Sequence, residues 1–246
     1  MTLDFTTVLR DAWTLFRRDR DILLRIAGPF LFLPTYALAL LVPAPPTPDA
    51  AAADSQAATQ AWVESIGDWG TAHGGWFLLS YAIAYVGGAA MLSLYLDPVQ
   101  PDVRGALRRA VGLAPRFLLA MFALMLPSGL GLLLWVIPGL FIMGRTMLVA
   151  PVLVADRPIG VLAAIARGWR MGRGASLSLT ALSAFTYVTG WIASAPFLAL
   201  DNWLRTGADA NPVPIAIVDA AAAAVATASG LAGTIVALAA YRRLAR

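Results

Sequence analysis

The run FLLAMFALMLPSGLGLLLWVIPGLFIMGRTMLVAPVLVA, residues 117–155, holds one charged side chain, Arg145. A helix crossing the hydrocarbon core of a bilayer needs about 20 apolar residues, so this run is too long for one crossing and must fold back. A turn at Pro127–Ser128–Gly129 would leave too few residues before it to cross. A turn at Pro138–Gly139 leaves a full crossing before it and a shorter one after it, with Pro127 as a kink inside the first. The run therefore predicts spans over residues 117–136 and 139–155.

Outward from that hairpin, further apolar runs predict spans over residues 22–43, 75–96, 174–200 and 214–241, the last charged only at Asp219. The expected fold is all-α and integral to a membrane, with six transmembrane helices. Composition agrees: the chain is 59% hydrophobic and only 13% charged, where soluble domains carry about 25% charged residues. Mean hydropathy is +0.73. The first span follows a long amphipathic leader and contains internal prolines, which favours a retained helix over a cleaved signal peptide. Residues 43–73, opening with the Pro/Ala-rich PAPPTPDAAAADSQAATQ, are expected to form a periplasmic loop, with Trp62 and Trp69 on a short interfacial segment.

The arginines sort by side. Arg10, Arg17, Arg18, Arg20 and Arg25 precede the core of span one; Arg104, Arg108, Arg109 and Arg116 lie between spans two and three; Arg157, Arg167, Arg170 and Arg173 lie between spans four and five; Arg242, Arg243 and Arg246 follow span six. The opposite side carries Asp49, Asp54, Glu64, Asp68, Asp201 and Asp209 against Arg205. The positive-inside rule then puts both termini in the cytoplasm of a bacterial inner membrane. Every basic residue is Arg, and Ala is abundant, as in a GC-rich bacterial genome. The pI near 10.0 reflects this topology and does not call for a nucleic-acid partner.

Three segments ahead of spans one, three and five set apolar residues at helical spacing against arginines: TTVLRDAWTLFRR, RGALRRAVGLAPR and VLAAIARGWRMGRG. Leu9, Leu107 and Ile165 align, as do Ala12, Ala110 and Gly168, and Trp13, Val111 and Trp169. The order points to a threefold repeat of one unit, a cytoplasmic interfacial helix (residues 3–19 in the first copy) followed by two spans. The alternative is that any six-span protein carries basic amphipathic segments in its cytoplasmic loops. The succession VLRDAWTLFRR, IPGLFIMGRTMLVAPVLVADRPIG and AIARGWRMGRG, sharpest over residues 137–174, resembles the bacterial YciC-like inner-membrane proteins. It is also similar to the membrane domain attached to some glycerophosphodiester phosphodiesterases. The resemblance implies six spans and an envelope location, and brings no activity with it.

Catalytic chemistry finds little support. There is no Cys, which removes disulfides, thiolate metal sites and cysteine nucleophiles, and the single His73 leaves no multi-histidine site. GRGAS at residues 172–176 lacks the lysine and spacing of a phosphate loop. No metal site and no cofactor are expected. The two charges deep within predicted spans, Arg145 and Asp219, lie about 9 Å and 7–8 Å from the same outer surface at 1.5 Å per residue, so they are expected to approach each other. Thr186 and Tyr187 could add polar lining to a ligand site there. Trp13, Arg17, Arg18, Arg108, Arg109, Arg167, Trp169 and Arg170 form the candidate surface for membrane lipid, expected to be anionic, or for a partner membrane protein. The expected function is a non-enzymatic inner-membrane protein for envelope or lipid homeostasis, a scaffold or accessory subunit. A transporter or lipid translocator using Arg145 and Asp219, and an intramembrane enzyme, are the alternatives.

Overall fold

The computed structural model describes residues 3–47, 55–99, 102–134, 136–206 and 211–245. The elements in chain order are α1 (Phe5–Ala27), a π-helical turn (Gly28–Phe32), α2 (Leu33–Leu41), α3 (Gln56–Leu96), α4 (Val103–Leu134), α5 (Val136–Thr146), α6 (Val149–Ala155), α7 (Val161–Met171), a 3-10 turn (Arg173–Ala175), α8 (Ser176–Thr206) and α9 (Pro212–Leu244). No strand occurs among the described residues. Among the described residues, five segments are long and apolar enough to cross a membrane: Phe5–Leu41, Gln56–Leu96, Val136–Ala155, Arg173–Thr206 and Pro212–Leu244. The protein is thus a multi-pass membrane protein.

Local chemistry explains the boundaries. Asp4, Ser55 and Asn211 cap α1, α3 and α9, accepting from the N–H groups of Thr7 (2.8 Å), Ala58 (3.4 Å) and Val213 (3.0 Å). Pro212 opens α9, where its missing N–H costs nothing. α1 breaks at Asp19, whose φ of −117° and ψ of 20° leave the helical region, dividing a reclining limb from the limb that continues through the π turn into α2.

Three expectations change here. The chain from Gln56 onward is helix, so most of the expected loop over residues 43–73 extends α3; residues 48–54, with Asp49 and Asp54, lie outside the described residues. The Ala- and Gln-rich start of α3 has good helix propensity, and the indoles of Trp62 and Trp69 donate to the carbonyls of Pro46 (2.9 Å) and Pro43 (3.0 Å), strapping the incoming chain along it. The basic segment before the expected third span is not a separate element but the start of α4, which runs through Pro115 and Pro127. Pro138 and Gly139 do not form the turn between spans: they sit in the first turns of α5, where proline is tolerated. α4 ends at Leu134 and α5 begins at Val136; residue 135 lies outside the described residues.

The helices close a ring: α9 packs on α1, α2 and α8, α8 on α5, α5 on α4, α4 on α3, and α3 on α2. Inside one end sits α6, with Val149, Val152, Leu153 and Val154 all buried. The core is confined to this end. No residue of α3 before Gly87 and none of α8 beyond Ser183 is buried, and α9 buries Leu231, Ile235, Leu238 and Tyr241 near its C-terminus. Trp191, Ile192 and Trp203 stand more than half exposed, a surface that lipid chains cover in a bilayer.

Small residues set the crossings, as usual where lipid is as apolar as the side chains. A Cβ at Gly144 of α5 would stand 2.6 Å from the Cα of Thr180 in α8. Gly144→Ala is therefore expected to cost about 1–3 kcal/mol by overpacking. Gly70→Ala in α3, with open space around it, should instead gain up to about 1 kcal/mol from helix propensity. Thermal unfolding of the two variants in the same detergent checks the opposite signs.

Candidate functional site

The two ends of the bundle differ in chemistry. At the end that holds the core, polar contacts lash the elements together. The reclining limb of α1 is held at three points: Asp11 pairs with Arg243 of α9 (2.6 Å), Asp19 accepts from the Tyr95 hydroxyl of α3 (3.0 Å), and the Leu3 carbonyl accepts from Ser178 of α8 (2.6 Å). Arg242 donates to the Tyr95 carbonyl at 2.9 Å. Asp156, at the end of α6, accepts from the Tyr241 hydroxyl (3.2 Å) and pairs with Arg167, while Asp97 at the end of α3 pairs with Arg109 of α4. This is an arginine-rich face.

Of the residues singled out there, Arg18, Arg109 and Arg167 are committed to Asp19, Asp97 and Asp156. Arg17, Arg108 and Arg170 are exposed and make no ion pair among the described residues. Trp13 is 59% exposed beside Phe16, their ring centroids 5.7 Å apart. Trp169 has a different role from the one its spacing implied, because one of its faces is covered by Arg145.

Arg145 and Asp219 do not meet. Arg145 is buried at the last turn of α5, where Nη1 donates to Ser176 Oγ and Nη2 to the Trp169 carbonyl, both at 2.7 Å, and the guanidinium lies 4.5 Å from the Trp169 ring centroid. Asp219 is buried in the early part of α9 and accepts from Arg205 Nη2 at 2.8 Å. Their partners Ser176 and Arg205 stand at opposite ends of α8, roughly 40 Å apart along its axis at 1.5 Å per residue. The depth argument assumed an unbroken fourth span. The chain instead turns after Thr146, and Arg145 caps the end of α7, its charge met by a helix C-terminal carbonyl, a hydroxyl and an indole face rather than by a carboxylate, with Nε left without a partner among the described residues.

Arg205 is the residue the sequence reading passed over. It bridges Asp201 (2.7 Å) and Asp219 and reaches the Ala39 carbonyl of α2 (3.4 Å), joining three helices at the far end. The i,i+4 spacing of Asp201 and Arg205 was its signal.

Two clefts flank α8. One, about 470 Å³, is lined by Met143, Ser183, Thr186, Tyr187, Ser194 and Ser229 among others. It brings Thr186 and Tyr187 together without Arg145 or Asp219. Two of its hydroxyls are spent on their own helices: Thr186 donates to the Leu182 and Ser183 carbonyls (3.1 and 3.0 Å) and Ser229 to the Val225 carbonyl (3.0 Å). The other cleft, about 560 Å³, lies between α1, α8 and α9 and is almost wholly apolar. Among the described residues no three His, Cys, Asp or Glu side chains stand together as a metal site would require.

In a double-mutant cycle on thermal stability, Arg145→Ala and Asp219→Ala should add within about 0.5 kcal/mol. Arg205→Met should cost about 2 kcal/mol by stranding the buried Asp219 carboxylate, with part of the loss recovered in Arg205→Met/Asp219→Leu. At Asp97, burial pushes the carboxyl up, but the Val99 N–H and the Arg109 guanidinium outweigh it and hold the group below its usual 3.8. A lowered native pKa means the contribution is complete above 3.8 and disappears as pH falls through the native value. The stability gap between wild type and Asp97→Asn should thus hold at neutral pH and close in strong acid.

No protein-family model matches the chain, and no match was found among curated proteins or solved structures.

Proposed function

We propose that this protein is a non-enzymatic scaffold or accessory subunit of a bacterial inner membrane that gathers anionic lipid at its arginine face, in the service of envelope or lipid homeostasis. The reading takes α4 as a sixth span, since its residues 117–134 are uncharged, and takes the arginine face as cytoplasmic. Kinship with the YciC-like proteins belongs to the same reading.

One observation carries it. Arg17, Arg108 and Arg170, from three separate basic segments, all point outward without an ion pair among the described residues, with Trp13 and Val111 exposed beside them. Cations beside apolar side chains suit the headgroup zone of an anionic leaflet. The burial pattern also supports the threefold repeat. Val8, Ala106 and Ala164 are each 0% exposed, Ala12, Ala110 and Gly168 are buried, and Leu9, Leu107 and Ile165 are half-buried. Trp13, Val111 and Trp169 are exposed. The transport alternative loses its supposed path, because Arg145 and Asp219 are occupied at opposite ends of α8.

Native mass spectrometry of the full chain, titrated with phosphatidylglycerol and phosphatidylcholine, tests the proposal. Phosphatidylglycerol should be retained preferentially. At about 1 kcal/mol per arginine, the triple variant Arg17→Gln/Arg108→Gln/Arg170→Gln should weaken that retention about a hundredfold at low salt. Equal retention of the two lipids by wild type would overturn the reading.

A further inference from the structure

The larger cleft lies in the elbow of α1. Leu9, Trp13 and Phe16 line it from the reclining limb, Leu24 and Gly28 from the limb beyond the bend at Asp19, and α9 supplies the opposite wall. That wall is shallow because Ala224, Ala228 and Ala232 recur every four residues. The deep end is shaped by the π turn, where Gly28 carries no side chain and the Leu33 N–H reaches back to the Gly28 carbonyl. Such turns bulge the helix and occur often at functional sites.

Two polar side chains line the cleft, Thr186 and Thr227, and both hydroxyls are turned inward, Thr227 donating to the Ala223 carbonyl at 2.7 Å and Thr186 to Leu182 and Ser183. Apart from the indole N–H of Trp13, the lining therefore offers mainly hydrocarbon contact, which suits an alkyl chain rather than a polar solute. The rim is different. Arg17 lies one turn beyond Trp13 on the same limb, so this exposed cation adjoins the lining, whereas Arg20 lies past the bend at Asp19 and pairs with Asp21 at 3.6 Å. An apolar slot with a cation at its mouth matches a molecule with an anionic head and a hydrocarbon tail.

We propose that this cleft is a lipid site: one acyl chain of an anionic phospholipid lies in the elbow of α1 against the alanine-lined face of α9, with its phosphate beside Arg17. The proposal deepens the reading of the arginine face and rests on it. It explains why the reclining limb is tied down on three sides and yet leaves Trp13 uncovered. The lipid completes the packing of that limb, and a second copy of the chain is not needed to cover it.

The test is photo-crosslinking of the full chain, in bilayers, with phosphatidylglycerol that carries a diazirine midway along one acyl chain. The same acyl label on phosphatidylcholine serves as the comparison. Adducts from phosphatidylglycerol should concentrate on residues 224–236 of α9 and 9–16 of α1, at least tenfold above those from phosphatidylcholine. Ala228→Trp, which fills the slot, should lower them by a similar factor while leaving the arginines in place. The wild-type map decides the matter even if that variant folds poorly. Adducts spread evenly over the exposed faces of α3 and α8, equal labelling by the two lipids, or a dimer whose interface covers the cleft would overturn the site. If phosphatidylglycerol is still preferentially retained but its adducts miss the cleft, the site is wrong and the scaffold reading stands. If retention shows no preference, the scaffold reading fails as well.

Discussion

A helix of seven residues has little stability of its own in water. α6 exists because both ends are held and most of its surface is covered. Just before it, Arg145 ties the end of α5 to α7 and α8; at its other end, Asp156 ties it to Tyr241 of α9 and to Arg167 of α7. Between those polar anchors Val149, Pro151, Val152, Leu153 and Val154 are buried, with α3, α4, α7 and α9 as walls. A buried guanidinium that lost its carbonyl and hydroxyl partners would be costly to retain, so the register of α6 and the bend into α7 are fixed together.

The all-helical, multi-span character was legible because it rests on long-range averages. Apolar runs announce spans whatever their neighbours do, and arginines announce the ends of helices. What was not legible depended on single breaks in the chain. Arg145 looked like a partner for Asp219 only if the fourth span ran straight from Pro138, and nothing in TMLVAP marks the turn after Thr146 that lifts Arg145 to the other end of α8. The start of α3 read as loop because its Pro-rich approach was allowed to govern the Ala- and Gln-rich stretch that follows, which has no breaker stronger than glycine. Arg205 was counted as a topological exception, although its i,i+4 partner Asp201 and the nearby Asp219 already offered it two carboxylates.

The packing is unequal along the bundle axis. At the arginine face, interlocked ion pairs and tyrosine hydroxyls surround a closed core. At the far end, cohesion among the described residues comes from Arg205 with its two aspartates and from the indoles of Trp62 and Trp69 on proline carbonyls. Few buried apolar contacts mean low local stability, so the far halves of α2, α3 and α8 are the part of the fold most open to rearrangement. The cleft in the elbow of α1 borders the well-packed end, where a bound chain would meet a firm wall.

The length of α3 has a consequence for geometry outside the bilayer. Its 41 residues make a rod of about 60 Å at 1.5 Å per residue, against a hydrocarbon thickness of about 30 Å. Even a strong tilt absorbs only part of the difference. Because the buried portion of α3 is confined to Gly87–Ser93 on the arginine side, the surplus length lies at the other end of the helix, the end that carries Glu64 and Asp68.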